Sequence, residues 1–513
     1  MALLAVAMIA GQGFPAATLA ATYYVSQTSG NDSNAGTSAN AAWRNAPGMD
    51  AYAGSGKLAP GDTVYFNSSD TWLVTGTQGI YLVGGVTYIG NQWGGGARAV
   101  IRASANLGSA VVRFRDHATI ATVFRGFDVD ANRKVTNGIE MNHTFYAGPL
   151  TGATKRVDDV IVHHIWSSTV AGQYKYGIIV SNHGGVSGEV ANVEILNSVI
   201  HDTSRDALPI YPGDENADCI VRNVTVRGNT VYNTGQDPTY GAGSGIIVKG
   251  RVIDAIVENN YVYGTVGAGI FINGNETNHF GFGPTNVHIR YNLVNVNTAH
   301  GSIRIYDGSS GKDPKEVNVY GNVVFNNTQG AGLQIDPDLG STNALRVYNN
   351  TFYNASVRIN NTAATFSVLD FKNNIVVSSS SIPLIDSGKI KSHANNLLFG
   401  NATLARIGGV SYSAGQLSTY EPTAKSADPM FLDPHSLPTG FTGTYAIDMR
   451  PNAAGLSLAA GSPAINAGAA MAAPFDRGIN SQSRSAGQVP DIGAYESANT
   501  NLLPAPTNLR VVQ

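Results

Sequence analysis

Charge, cysteine and long apolar runs are all scarce in this chain. Only 13% of its 513 residues are charged, and the formal net charge is −3. Such a balance lacks the cationic field that nucleic acid requires, and it is not drawn to an anionic membrane surface. Cys219 is the single cysteine. An internal disulfide is therefore excluded, and within "ADCIVRNV" the residue reads as a packed side chain. No cysteine pair and no dense histidine cluster occurs along the sequence, which argues against a structural zinc site. The apolar run from Leu3 to Ala10 is too short to span a bilayer. With small residues at Ala20 and Ala21, it reads as a secretory signal over residues 1–21, one without a basic n-region. A secreted or periplasmic, soluble protein is expected.

Glycine and short apolar alternations are what the chain does have, with Gly at 59 and hydrophobic residues at 43%. Together with low charge they point to β structure with many turns. A repeat underlies it. "NVEILNSVIHDT", "CIVRNVTVRGNTVYNT", "DAIVENNYVYGT", "NVHIRYNLVNVN" and "EVNVYGNVVFNN" each place an Asn between two short apolar strands, and "ALRVYNNTFYN" and "VLDFKNNIVVSS" continue the series. The marking residues are Asn197, Asn229, Asn260, Asn292, Asn322, Asn350 and Asn374, a spacing in the range of solenoid repeats. Asn tolerates the left-handed backbone of a tight bend. Stacked coils would then align the amides into a ladder about 4.8 Å apart.

A third short strand precedes each Asn unit: "GIEMN", "GIIVS", "ALPIY", "GIIVK", "GIFIN", "SIRIY" and "GLQID". Three strands per coil, with "TYYVSQTSGNDSNAGTS" near one end and "GSPAINAG" and "DIGAYES" near the other, resemble the pectate-lyase-like superfamily of secreted bacterial proteins. That resemblance covers most of the chain. It implies an all-β, right-handed parallel β-helix with an N-terminal cap helix near Ala41–Tyr52 and a C-terminal capping segment. The expected division is an N-terminal cap over 22–60, coils over 61–400, C-terminal coils and cap over 401–497, and a Pro-rich linker over 498–513.

Alternation assigns Val180, Ile210, Val248, Ile272, Ile305 and Ile335 to the inward column of the third strands. Their neighbours face out, from Glu140 and Asn142 at one end to Gln334 and Asp336 at the other. Between them, Tyr211, Lys249, Phe271, Asn273, Arg304 and Tyr306 form a strip of cations and aromatic rings. Aromatic faces pack on pyranose rings and cations attract carboxylates, so an acidic polysaccharide is the expected partner. Uronic-acid polymers are cleaved by β-elimination, which needs a base, a group that stabilises the enolate, and an acid for the leaving oxygen. Lys249 suits the base, with Arg251 nearby to lower its pKa. Arg304 suits the carboxylate clamp, and Tyr211 or Tyr306 the acid. The alternative for an outward lysine is plain solvation.

Asp206, Asp214, Glu215 and Asp237 form an acidic second group in "TSRDALPIYPGDENADC" and "TGQDPTYG". Oxygen-rich loops of this kind hold calcium (Ca2+), and equally they make turns. "SRDALPIY" followed by a lysine strand resembles the calcium-dependent, lysine-base pectate lyases. The resemblance implies a catalytic or metal-binding role for Asp206. Arg205 and Pro209 stand where that family has further acidic residues. His201 is expected on a loop beside the groove. Hydrolysis by paired carboxylates, C5-epimerisation and non-catalytic glycan binding remain open alternatives, and a capped solenoid is expected to be monomeric. Long loops over 203–245 and 274–288 flank Lys249, which favours a built site over a plain rod.

Overall fold

The computed structural model describes residues 20–75, 79–107, 110–142, 150–165, 175–181, 188–212, 219–237, 243–274, 283–306, 314–336, 344–360, 367–484 and 489–497. The signal sequence up to residue 19, the 498–513 tail, Asp214 and Glu215 lie outside the described residues. No described helix is long and apolar enough to cross a membrane.

Three long sheets run the length of the molecule, with 13, 13 and 12 strands among the described residues. A coil passes from the second sheet (for example Cys219–Arg227) through a tight bend to the third (Thr230–Thr234). A loop then leads to the first sheet (Ile246–Lys249). Each strand pairs in parallel with its counterpart one coil away. The inward column of the first sheet is in register from Val180 through Ile210, Val248, Ile272 and Ile305 to Ile335. All six are buried, in one continuous apolar core down the solenoid axis. Period-2 alternation alone places one face of each strand in that core.

The bend between the second and third sheets is where the asparagines stack. Asn229 donates its Nδ2 to Ile195 O at 2.9 Å and to Asn260 Oδ1 at 3.0 Å, and its backbone N–H reaches the same Oδ1 at 3.0 Å. The pattern repeats through Asn260, Asn292, Asn322, Asn350 and Asn374 to Asn396. Two details differ from the sequence expectation. Asn197 is not a rung, because Ser198 takes that place and receives the Asn229 acceptor on its N–H. The left-handed residue is also not the rung itself but the one before it: Asn197, Gly228, Asn259, Tyr291, Gly321, Asn349, Asn373 and Asn395. The rung is thereby freed to turn its amide into the wall.

The ladder has a direction, since every rung donates to the acceptor one coil on. It must therefore end on a group that only accepts. Glu421, 2% exposed, is that group, taking the Asn396 N–H at 2.8 Å and its Nδ2 at 2.9 Å. The first sheet ends on an antiparallel hairpin, Ala405–Ile407 with Val410–Tyr412, which turns its last edge away from further pairing.

At the opposite end no helix forms over 41–52. Only a 3-10 turn at Ala39–Ala41 is present, because Pro47 cannot supply an N–H and Gly48 sits at φ +99. Aromatic stacking closes that end instead, with Trp43 against Tyr23 at 4.6 Å and against Tyr52 at 5.8 Å. Toward the C-terminus, Leu456, Ile479, Ala494 and Tyr495 fold back along the outside of the third sheet and pack on Tyr261, Leu293, Val323 and Phe325.

Replacing Asn292 by Ala would strand the two Asn260 donors and the Val257 carbonyl inside the wall. At about 1–3 kcal/mol per buried group left unpaired, the loss should reach roughly 3 kcal/mol or more. A denaturation midpoint equal to that of the unsubstituted chain would show that the ladder adds no net stability.

Candidate functional site: the outer face of the first sheet

The outer face of the first sheet is not one uniform strip. Tyr176–Ser181 and Leu208–Tyr211 are buried on both faces, so Ile179, Ser181, Pro209 and Tyr211 are closed to a polymer. The face opens at Lys249 and stays open through Phe271, Arg304, Tyr306 and Gln334 to Arg358, all half-exposed. Pairing in register places Phe271 beside Arg304, Arg304 beside Gln334, and Gln334 beside Arg358. Asn273, beside both Lys249 and Tyr306, is buried at the base of this section.

Lys249 Nζ sits 4.8 Å from the centre of the Tyr211 ring one coil earlier. The Arg304 guanidinium lies between two rings, 5.3 Å from Phe271 and 4.8 Å from Tyr306. Its Nε donates to Asp336 Oδ2 at 2.5 Å, and Gln334 Nε2 donates to the other Asp336 oxygen at 2.7 Å. Asp336 thus orients the arginine and is not a free acid. Arg358 was missed in the sequence, although "SVRIN" continues the third-strand pattern by one coil. Its Nε is buried without a hydrogen-bond partner, an unusual state for a donor.

Three sequence expectations change. Asp206 is 4% exposed, accepts the Ser244 N–H at 2.7 Å and pairs with Arg205 at 3.3 Å. It ties two loops together and is not aimed at a substrate. Asp237 is also buried, with its own N–H on Ser204 O. Among the described residues neither belongs to a group of three or more acidic or histidine side chains close enough to share an ion; the other two expected ligands, Asp214 and Glu215, lie outside the described residues. His201 is not beside the groove. It ends the third-sheet strand Val199–His201, stacked on Tyr232 at 4.7 Å. Arg251 lies on the bend after the Lys249 strand, where its carbonyl accepts the Val221 N–H.

Residues 150–352 match the family model described as Right handed beta helix region. The fold is a right-handed parallel β-helix. No curated protein matches the chain. Similar solved structures include the GH136 lacto-N-biosidase from Eubacterium ramulus, at 13% identity and TM-score 0.43, covering 70% of this chain and 64% of that one. Pectate lyase Pel9A is 16% identical with TM-score 0.38, covering 93% and 96%. XylC, solved in complex with xylose, is 11% identical with TM-score 0.47, covering 92% and 98%. The chain spans less than two thirds of the lacto-N-biosidase, and at these identities the likeness concerns the fold alone.

A second polar cluster lies on the third sheet of the β-helix, where the sequence showed only scattered histidines. His163 stacks on His201 at 5.1 Å and lies 4.3 Å from the His164 ring. His163 Nε2 bonds Asp128 Oδ1 at 2.8 Å, His164 Nδ1 bonds Asp130 Oδ1 at 3.0 Å, and His201 Nδ1 bonds Asp202 Oδ2 at 2.8 Å. Burial opposes the charged form of His163, but the Asp128 bond and the Asp130 and Asp202 carboxylates outweigh it and raise its pKa. For His201 burial prevails over Asp202, and the nearby His163 and His164 charges push its pKa further down.

The two stacked imidazoles should therefore titrate on opposite sides of the ordinary histidine value of about 6.5. As pH rises, His201 loses its proton first and His163 last. The stabilisation that His163 draws from its carboxylates is full below its unfolded pKa and is lost as pH rises through the folded one. Histidine ring resonances followed across pH would check this, and Asp128→Asn should bring His163 down. Coincident titration of the two rings would contradict it.

Proposed function

We propose that this β-helix binds an acidic polysaccharide across the open section of its first sheet and cleaves it by β-elimination. The observation that carries the reading is the make-up of that section. Lys249, Arg304 and Arg358 stand on it beside Phe271 and Tyr306, while its described carboxylate, Asp336, is occupied by Arg304 and Gln334. Unbalanced cations beside aromatic faces suit a chain of uronic-acid rings.

In the reaction, Lys249 takes the proton on the carbon next to the uronate carboxylate. Arg304 stabilises the enolate that develops, Arg358 holds the carboxylate of a uronate further along the polymer, and Tyr306 returns a proton to the leaving oxygen as the carbon–oxygen bond breaks and the ring double bond forms. Hydrolysis has less support. Glu140 and Asp336 are six strands apart in the sheet, roughly 29 Å at strand spacing, and each is ion-paired. Paired-carboxylate hydrolysis needs the two groups within about 10 Å. Export belongs to the same reading and rests on the Leu3–Ala10 stretch.

The test incubates the purified protein with pectate, alginate, hyaluronan, glucuronan and neutral glucans, with and without EDTA. Ultraviolet absorbance of unsaturated uronates and release of reducing ends are followed together. Absorbance should rise on at least one acidic polymer. Lys249→Ala should lower kcat by about a hundredfold to ten-thousandfold, whereas Arg358→Ala should act mainly on KM. Reducing ends without absorbance, or action on neutral glucans alone, would overturn the elimination reading.

A further inference from the structure

Asp130, His163 and His164 present one carboxylate oxygen and two imidazole nitrogens that all lie within 4.8 Å of one another. They come from adjacent coils, with Asp130 at the end of Phe127–Asp130 and His163 at the end of Ile161–His163, in register with each other. We propose that this trio binds a divalent first-row transition metal. Zinc is the ion that two imidazoles and a carboxylate suit well. The site lies on the third sheet and shares no residue with the groove on the first.

Four observations converge on it. Asp130 Oδ1 and His164 Nδ1 are 3.0 Å apart, and two donors each about 2.0–2.2 Å from one ion stand roughly 3 to 3.5 Å apart. His163 Nε2 lies 2.8 Å from Asp128 Oδ1; with Nε2 donating there, Nδ1 would carry the lone pair and the ring would be fixed, as outer carboxylates do for metal-bound histidines. Asp130 is 3% exposed and held by Arg102 Nε at 2.7 Å and the Asn132 N–H at 2.8 Å, so its carboxylate is oriented before any ion arrives. His164, finally, sits at φ 56 in a bend whose equivalents on the next coils are Asp202, Asn233 and Gly264. Histidine, like Asp and Asn, is at ease in left-handed backbone, so the bend holds the His164 ring at the surface without strain. The His164 side chain is 40% exposed, which gives an ion a path from solvent.

A metal here would link two successive coils across the third sheet. The sequence hid it because the ligands come from different coils and match no contiguous zinc spacing. Without a metal, the same residues are two charge-assisted pairs, His163 with Asp128 and His164 with Asp130, and the experiment separates the two cases.

The full-length chain is stripped with EDTA, dialysed into chelator-free buffer, and titrated with Co2+ as a spectroscopic probe and with Zn2+ by calorimetry. A single equivalent should bind, produce a visible ligand-field band, and raise Tm. His164→Asn keeps a residue at ease in the left-handed bend, so the fold is retained. It should abolish the band and weaken zinc binding by tenfold or more. Asp128→Asn should weaken it by about 10- to 100-fold, while His300→Asn and His435→Asn should leave it unchanged. No saturable binding below millimolar metal, or a band that survives in His164→Asn, would overturn the site.

Discussion

The buried amides at the bend between the second and third sheets hold the coils in one register, because each ties three of them together. Asn260 donates to Val226 O on the coil before it and to Asn292 Oδ1 on the coil after it, and it accepts from Asn229. A coil that slipped by one residue would lose all of these bonds inside a wall with no water to replace them. It would also turn the inward column outward, since the side-chain period in a strand is two. The ladder and the apolar core therefore enforce the same alignment, and neither tolerates insertions at the bend.

Fixed register is what makes a site possible on so regular a body. Lys249, Phe271, Arg304 and Arg358 are far apart in sequence, yet they fall on five consecutive strands spaced about 4.8 Å apart, with Phe271 beside Arg304. Electrostatics then distinguishes them. Arg304 is held between two rings and anchored on Asp336. That geometry keeps the guanidinium in place at little further entropic cost when an anion arrives. Arg358 has no such anchor for its Nε. The open section thus pairs one anchored cation with another whose Nε has no partner.

The third sheet shows the same principle with another chemistry. Its outer face is apolar from Tyr261 onward and is covered by the returning C-terminal segment. On the earlier coils imidazoles and carboxylates replace the apolar residues and pair across coils. Burial and neighbouring charge push the stacked His163 and His201 in opposite directions.

By itself, the sequence determined the solenoid. Alternation and the recurring Asn were enough to place Val180, Ile210, Val248, Ile272, Ile305 and Ile335 in one inward column, because side-chain direction in a strand is set locally by the backbone. Asn197 was misassigned as a rung because the bend holds two small polar positions, and only the stacking shows which one turns inward. The absence of a helix over 41–52 follows from Pro47 and Gly48, both visible in the sequence. Tertiary structure alone decided which outward residues are reachable. Tyr211 and Lys249 occupy matching outward positions, but one is buried and the other open. It also decided that Asp206 ties loops together and that His163, His164 and Asp130 meet. Burial and cross-coil distance depend on the neighbouring coils, some thirty residues away in a repeat of this length, and no local pattern encodes them.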